Sequence, residues 1–133
     1  MRPSVVLIGI VTLAGCQQTS EQFDLSCRVS TTWMQDGVPV SDPESPATFR
    51  YRFDLRNKVW CDEQCRDGVT PIREVTPAFI VMKNEDGQLW QVDRLNGRIS
   101  LRTDDLGNRD RLSVEHGGPC EKVEFTPMPK RKF

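Results

Sequence analysis

Five cysteines, one histidine and a stretch crowded with carboxylates are the residues of this 133-residue chain that could do chemistry. Cys61 and Cys65 frame Asp62-Glu63-Gln64, a C-x-x-x-C spacing, and His116 is the only imidazole. As thiolates, the pair and His116 would suit copper, because soft sulfur and imidazole donors select that metal. Oxidised, the same two cysteines would form a local clamp. The C-x-x-C spacing of thiol oxidoreductases is absent. Asp104, Asp105, Asp110 and Glu115 could share a proton or hold a cation. Taking Gly107 as the central glycine of a calcium loop, however, puts Arg102 at the first ligand position, where a carboxylate is needed. A hydrolytic triad needs a base, and His116 could serve Ser113, but no serine sits in a nucleophile elbow. These residues make no enzyme and call for no cofactor.

Two further groups bear on binding. Arg50, Arg52 and Arg56 alternate along one strand-like stretch and could meet anionic headgroups or sugar phosphates; such a face is more often wet surface with cross-strand partners. Trp33, Trp60 and Trp90 could wall a ligand pocket, because a small barrel either fills with side chains or holds one small ligand. The charges nearly balance, 18 basic against 19 acidic. That balance argues against nucleic acid as a partner.

The first segment has a specific pattern. Arg2 supplies a positive charge, and residues 5–13 form an apolar run too short to span a bilayer, which needs about 20 residues. Ala14 and Gly15 then provide the small side chains that a signal peptidase requires. Leu13-Ala14-Gly15-Cys16 resembles the lipobox of bacterial lipoproteins. The resemblance covers about the first 20 residues. It implies removal of residues 1–15, a diacylglyceryl thioether and an amide-linked acyl chain on Cys16, and stable attachment to a lipid bilayer, since two or more chains hold firmly. Gln17 at the second mature position points by the same analogy to the outer membrane, facing the periplasm. Residues 16–22 read as a lipidated tether whose six extended residues reach at most ~20 Å.

Lipidation of Cys16 would leave Cys27, Cys61, Cys65 and Cys120, an even set in an oxidising compartment, where disulfides are the natural state. Of the three pairings, Cys61–Cys65 and Cys27–Cys120 are favoured. The long link joins the first and last strands and would contribute roughly 4 kcal/mol through the unfolded state. The rival assignment is similar to the copper site of periplasmic metallochaperones of the Sco kind, with Cys61, Cys65 and His116 as ligands. Those proteins have a thioredoxin-like α/β core, and no helix-period segment flanks this pair.

The elements that must position these residues have period two, the signature of half-buried strands. Phe23, Leu25, Cys27 and Val29 alternate with Asp24, Ser26 and Arg28. Phe49, Tyr51, Phe53 and Leu55 alternate with arginines and Asp54. Residues 78–103 form a three-stranded meander, with tight turns at Asp86-Gly87 and Asn96-Gly97. Asn57-Lys58 turns into a short strand at 59–61. Residues 34–47, 66–77 and 104–119 read as loops, with a short edge strand at 72–75 and one helical turn near 110–114. His116 then lies in a loop. The basic tail, 127–133, hangs free, and Lys130-Arg131-Lys132 could add ~1 kcal/mol per charge of attraction to an anionic membrane.

The expected fold is all-β: one antiparallel meander of six to eight strands over residues 23–126, a curled sheet or an up-and-down barrel. A β-sandwich is the alternative. The expected function is a lipid-anchored envelope protein with a non-enzymatic binding or structural domain, meeting an envelope protein or glycan. Its layout is similar to the periplasmic inhibitors of lysozyme, without a residue-by-residue motif. The alternative is a small-ligand or copper carrier.

Overall fold

Alternation of apolar and polar side chains runs through most of the chain, and the fold follows it. The computed structural model describes residues 21–104 and 112–130. Among them there is no helix. The strands are β1 (Gln22–Gln35), β2 (Val38–Pro39), β3 (Ala47–Asp54), β4 (Val59–Asp62), β5 (Thr70–Pro71), β6 (Glu74–Val75), β7 (Phe79–Glu85), β8 (Gln88–Asp93), β9 (Arg98–Asp104) and β10 (Leu112–Val123). Nine form one antiparallel path, β5-β4-β3-β1-β10-β9-β8-β7-β6, and β2 pairs with β1 alone. The sheet curls into a half-barrel around Phe53, Ile80, Met82, Ile99 and Cys27, all essentially buried. The all-β curled sheet is as read from the sequence, with short β2, β5 and β6 bringing the count above six to eight.

The two ends of this path, β5 and β6, are separated in the chain by only Ile72 and Arg73. Ile72 N–H donates to the Lys58 carbonyl at 2.8 Å, and Arg73 N–H to the Val81 carbonyl at 2.9 Å. One kinked segment therefore bonds to both margins of the sheet and draws them together. It reaches only part of each margin. β4 covers residues 51–54 of β3, and β6 covers only Val81 and Ile80 of β7. Residues 47–50 and 82–85 therefore face each other across a gap at one end of the half-barrel.

The long disulfide joins the first and last strands, as the sequence reading has it. β1 and β10 are neighbours in the middle of the sheet, not margins. Cys27 lies directly opposite Cys120, with Cα atoms 4.0 Å apart. The chain does bond Cys27 to Cys120 and Cys61 to Cys65. The first and last strands meet because a long β10 returns antiparallel along nearly all of β1.

That strand overturns the reading of residues 104–119 as a loop with a helical turn. Residues 105–111 lie outside the described residues, but from Leu112 onward the chain is extended. His116-Gly117-Gly118-Pro119, which looks like a turn, is mid-strand. Gly118 is needed for close approach. A Cβ there would fall 1.9 Å from the Arg28 carbonyl oxygen, a backbone atom that cannot step aside. Pro119, which carries no N–H, sits where the β1–β10 ladder skips between Cys27↔Cys120 and Ser30↔Gly117.

Residues 34–47 are likewise not all loop. Asp36 and Gly37 both hold positive φ, 50° and 80°, and turn β1 into β2. Asp86 and Gly87 do the same between β7 and β8, at 48° and 74°. The carboxyl-terminal tail, read as free from residue 127, is held at its start. Thr126 N–H donates to Asp24 Oδ2 at 3.2 Å, and Arg52 Nη1 donates to the Pro127 carbonyl at 3.3 Å. This strap covers Asp24, which is wholly buried although its place in the alternation points outward.

Two hairpin turns share Asp-x-x-Asn. In the first, Asp54 accepts from the Asn57 N–H at 3.0 Å, the Asn57 amide at 2.7 Å and the Gln22 amide at 2.9 Å. In the second, Asp93 accepts from the Leu95 N–H at 2.9 Å, the Asn96 N–H at 3.0 Å and the Asn96 amide at 2.6 Å. Burial pushes the Asp54 carboxyl up, but its hydrogen bonds outweigh that and hold it below the usual aspartate value. The Asn96 N–H bond does the same for Asp93. A lowered carboxylate stabilises the fold above its unfolded pKa, and that contribution is lost as pH falls through the folded value. Asp54→Ala should therefore cost about 1–2 kcal/mol in urea unfolding at pH 7. The gap between wild type and variant should narrow at pH 3; an unchanged gap would refute the turn assignment.

A second measurement addresses the central seam. Gly118→Ala should destabilise by about 3 kcal/mol or more, the upper range of overpacking. Gly117→Ala, whose Cβ would meet the Glu115 side chain at 3.2 Å, should cost clearly less in the same unfolding experiment.

Candidate functional site

Because β3, β4, β8 and β9 turn alternate residues inward, the open end of the half-barrel gathers aromatic side chains. Phe53 pairs with Trp60, and Trp90 with Leu101. Trp60 packs edge-on to Trp90 with ring centroids 6.1 Å apart, and Tyr51 tilts against Trp60 at 6.5 Å. These rings wall a cavity of about 670 Å³, with Met82 and Leu101 lining the remainder of its apolar wall. Phe49 stands at its lip, 48% exposed. This volume falls within the roughly 300–1,000 Å³ of small-molecule sites.

The rim carries charges of both signs. Asp62, Asp67 and Glu85 face Arg73 and Lys83 around the opening. Arg73 Nη2 lies 3.4 Å from Glu85 Oε2, and the Lys83 ammonium sits 5.2 Å from the centre of the Trp90 ring. The indole N–H groups of Trp60 and Trp90 are both buried, without accessible surface, and find no acceptor. Such an unmade bond costs about 1–3 kcal/mol.

The cavity opens at the end toward which β1 runs, where β7 meets β8 and β4 ends. Gln22, at the start of β1, lies at the opposite end with the Asp54–Asn57 and Asp93–Asn96 turns. Phe23 and Phe53 stack at 5.4 Å there and close the core.

The sequence candidates are distributed differently. Trp60 and Trp90 come together as a pocket reading requires, whereas Trp33 lies outside the cavity, 46% exposed near β2. Cys61 and Cys65 are buried and bonded to each other. Cys61, next to Trp60 on β4, stands opposite Arg52 in the ladder and also borders the cavity. His116 stands on the interior-facing set of β10, between Thr31 and Leu101, and its Nδ1 lies 2.8 Å from Thr31 Oγ1. Three inter-strand steps of roughly 4.8 Å separate β4 from β10. The fold thus keeps His116 apart from the cysteine pair, and no cluster of three His, Cys, Asp or Glu is gathered among the described residues. Ser113 and His116, three positions apart on one strand, point to opposite faces.

Of the carboxylate cluster, Asp105 and Asp110 lie outside the described residues. Asp104 pairs with Arg102 at 3.2 Å, and Glu115 stands opposite Arg102 in the ladder. The alternating arginines have structural partners. Arg50 lies 3.1 Å from Asp24 and donates to the Glu124 carbonyl at 3.3 Å. Arg52 holds the Glu63 and Pro127 carbonyls, and Arg56 pairs with Glu21 at 3.2 Å. Cys16, with the rest of residues 1–20, lies outside the described residues, as do Arg131 and Lys132.

Sequence reasoning named the tryptophans but missed Tyr51, Asp62, Arg73 and Lys83 as their neighbours. The pleat of β3 marked Tyr51 as inward-facing. The short edge strand read at 72–75 corresponds to β6, but no signal in the chain showed that the 70–75 segment bonds to both margins and brings Arg73 to the rim.

No family model matches this chain, and neither does any curated protein or solved structure.

Tyr51 offers a direct check, as the only tyrosine of the chain. Burial raises its pKa above the ordinary value, and the neighbouring Asp62 carboxylate adds to that. A raised acid of this kind stabilises the fold below its unfolded pKa, and that contribution is lost as pH rises through the folded value. Phenolate absorbance should therefore titrate with one midpoint above that of free tyrosine. Asp62→Asn should lower the midpoint only in part, because burial is the larger cause; a midpoint at the free value would place Tyr51 outside the cavity wall.

Proposed function

We propose that this chain is a lipid-anchored protein of the bacterial envelope whose β-domain acts by binding rather than catalysis. Acyl chains on Cys16 would hold it to a bilayer, with the outer membrane facing the periplasm as its place. Its partners would be that bilayer and an envelope protein or glycan. The observation that carries the reading is Leu13-Ala14-Gly15-Cys16, preceded by Arg2 and an apolar run and followed by polar Gln17-Gln18-Thr19-Ser20.

Three features of the fold agree with it. Four of the five cysteines are committed to bridges, and Cys16 is the fifth. β1 begins at Gln22, six residues beyond Cys16, so the domain would sit near the bilayer. The aromatic cavity opens at the end away from Gln22, so an anchored domain would present it to the periplasm. The copper reading of Cys61, Cys65 and His116 gains no support from the placement of those residues.

Replacing Cys16 tests the anchor. Wild type should label with palmitate in its native cells and partition into detergent. Cys16→Ser should do neither, leaving a soluble or unprocessed form. Unlabelled wild-type protein in the aqueous phase would end this reading.

A further inference from the structure

We infer that the cavity is the docking site of the chain's own basic tail, with Phe133 entering it and Lys130, Arg131 and Lys132 lying against Asp62, Glu63 and Asp67. The inference goes beyond the function proposed above and stands without the lipid anchor.

The wall suits an apolar side chain. The rings of Trp60 and Trp90 line the cavity, yet their N–H groups have no accessible surface, so the rings offer an occupant only carbon. Phe49, at the lip, is half exposed. Apolar surface left in water favours whatever covers it. Of the rim charges, Arg73 and Glu85 pair with each other, and Lys83 lies over the Trp90 ring. The others gather on one side, where β4 ends. Asp62, Glu63 and Asp67 are all exposed there and make no ion pair among the described residues. Arg66, the one cation between them, holds the Gln64 side chain.

The described part of the tail already runs toward this place. Leaving β10, it crosses β1 and β3, where Asp24, Arg50 and Arg52 hold the Thr126 N–H, the Glu124 carbonyl and the Pro127 carbonyl respectively. The Arg52 guanidinium also holds the Glu63 carbonyl, so Pro127 lies beside the acidic end of β4. β5 covers only Val59 and Trp60 of β4, which leaves Asp62 as open margin next to the cavity. Six residues separate Pro127 from Phe133, and six extended residues reach at most ~20 Å. Residues 131–133 lie outside the described residues, but their types fit what this margin lacks. Three cations and one aromatic side chain meet three carboxylates and one apolar cavity. A free acyl chain suits the wall equally and leaves the carboxylates unanswered.

The test places photoreactive p-benzoylphenylalanine at position 133 of the full chain, produced in its native cells and irradiated there. Peptide mapping of the purified protein should find position 133 joined, within one chain, to segments containing Phe49, Tyr51 or Met82. The same probe at position 95, where Leu95 is 76% exposed at the opposite end, should mark none of them. Glu63→Lys with Asp67→Lys, both at exposed positions, should lower the intrachain yield about twofold to fivefold, the effect of losing surface ion pairs. Cross-links confined to lipid, to another protein or to a second copy would each name a different occupant and overturn the inference. An intrachain yield indifferent to the charge reversals, or no cross-link to the cavity, overturns it equally.

Discussion

The antiparallel seam between β1 and β10 holds the two ends of the folded domain together, and everything else is arranged around it. Along this seam the backbones pass so closely at Gly118 that no side chain fits against the Arg28 carbonyl. Cys27 and Cys120 close it covalently, and Cys27 has no exposure at all. From the seam the sheet grows outward in both directions, through β3 and β4 on one side and β9, β8 and β7 on the other. The curl brings the two wings back toward each other, so Trp60 of one wing touches Trp90 of the other. The cavity is therefore a product of the seam, although none of its rings stands on β1 or β10.

Much of this was legible in the chain, for reasons that can be named. The β7–β8–β9 meander was readable because period-two alternation is local and Asp86-Gly87 and Asn96-Gly97 encode tight turns in two residues. The same Asp-Gly signal at Asp36-Gly37 turns β1 into β2, but the prolines that follow made the whole stretch look irregular. β10 was hidden by its composition. His116-Gly117-Gly118-Pro119 has turn residues, yet the glycine serves a close backbone approach and the proline sits where the ladder skips. Both demands come from β1, some ninety residues away, and local propensity carries no trace of them. Asp24 was hidden in the same way, since only the returning strap at Thr126 and Arg50 explains its burial.

The site was half legible. Aromatic residues on alternating strands can become core or pocket wall, and sequence has no means of choosing. The choice is made by closure: the 70–75 segment bonds to both margins at one end and leaves residues 47–50 and 82–85 apart at the other. Had it run further along either margin, Tyr51, Trp60 and Trp90 would be sealed in a core. The cysteine pair shows the converse, because its spacing left metal chemistry open beside the favoured clamp. Cys61 is bonded to Cys65, and His116 stands three strands distant.

The cross-link between Cys27 and Cys120 also bears on mechanical load. Tension applied at Gln22 could peel only residues 22–26 from their neighbours before meeting a covalent bond. Beyond that point force passes directly from the entering strand into the returning one, and from there across the rest of the sheet. A domain tethered by its amino end and gripped at its far mouth would thus resist unravelling at the one place where the leash meets the fold.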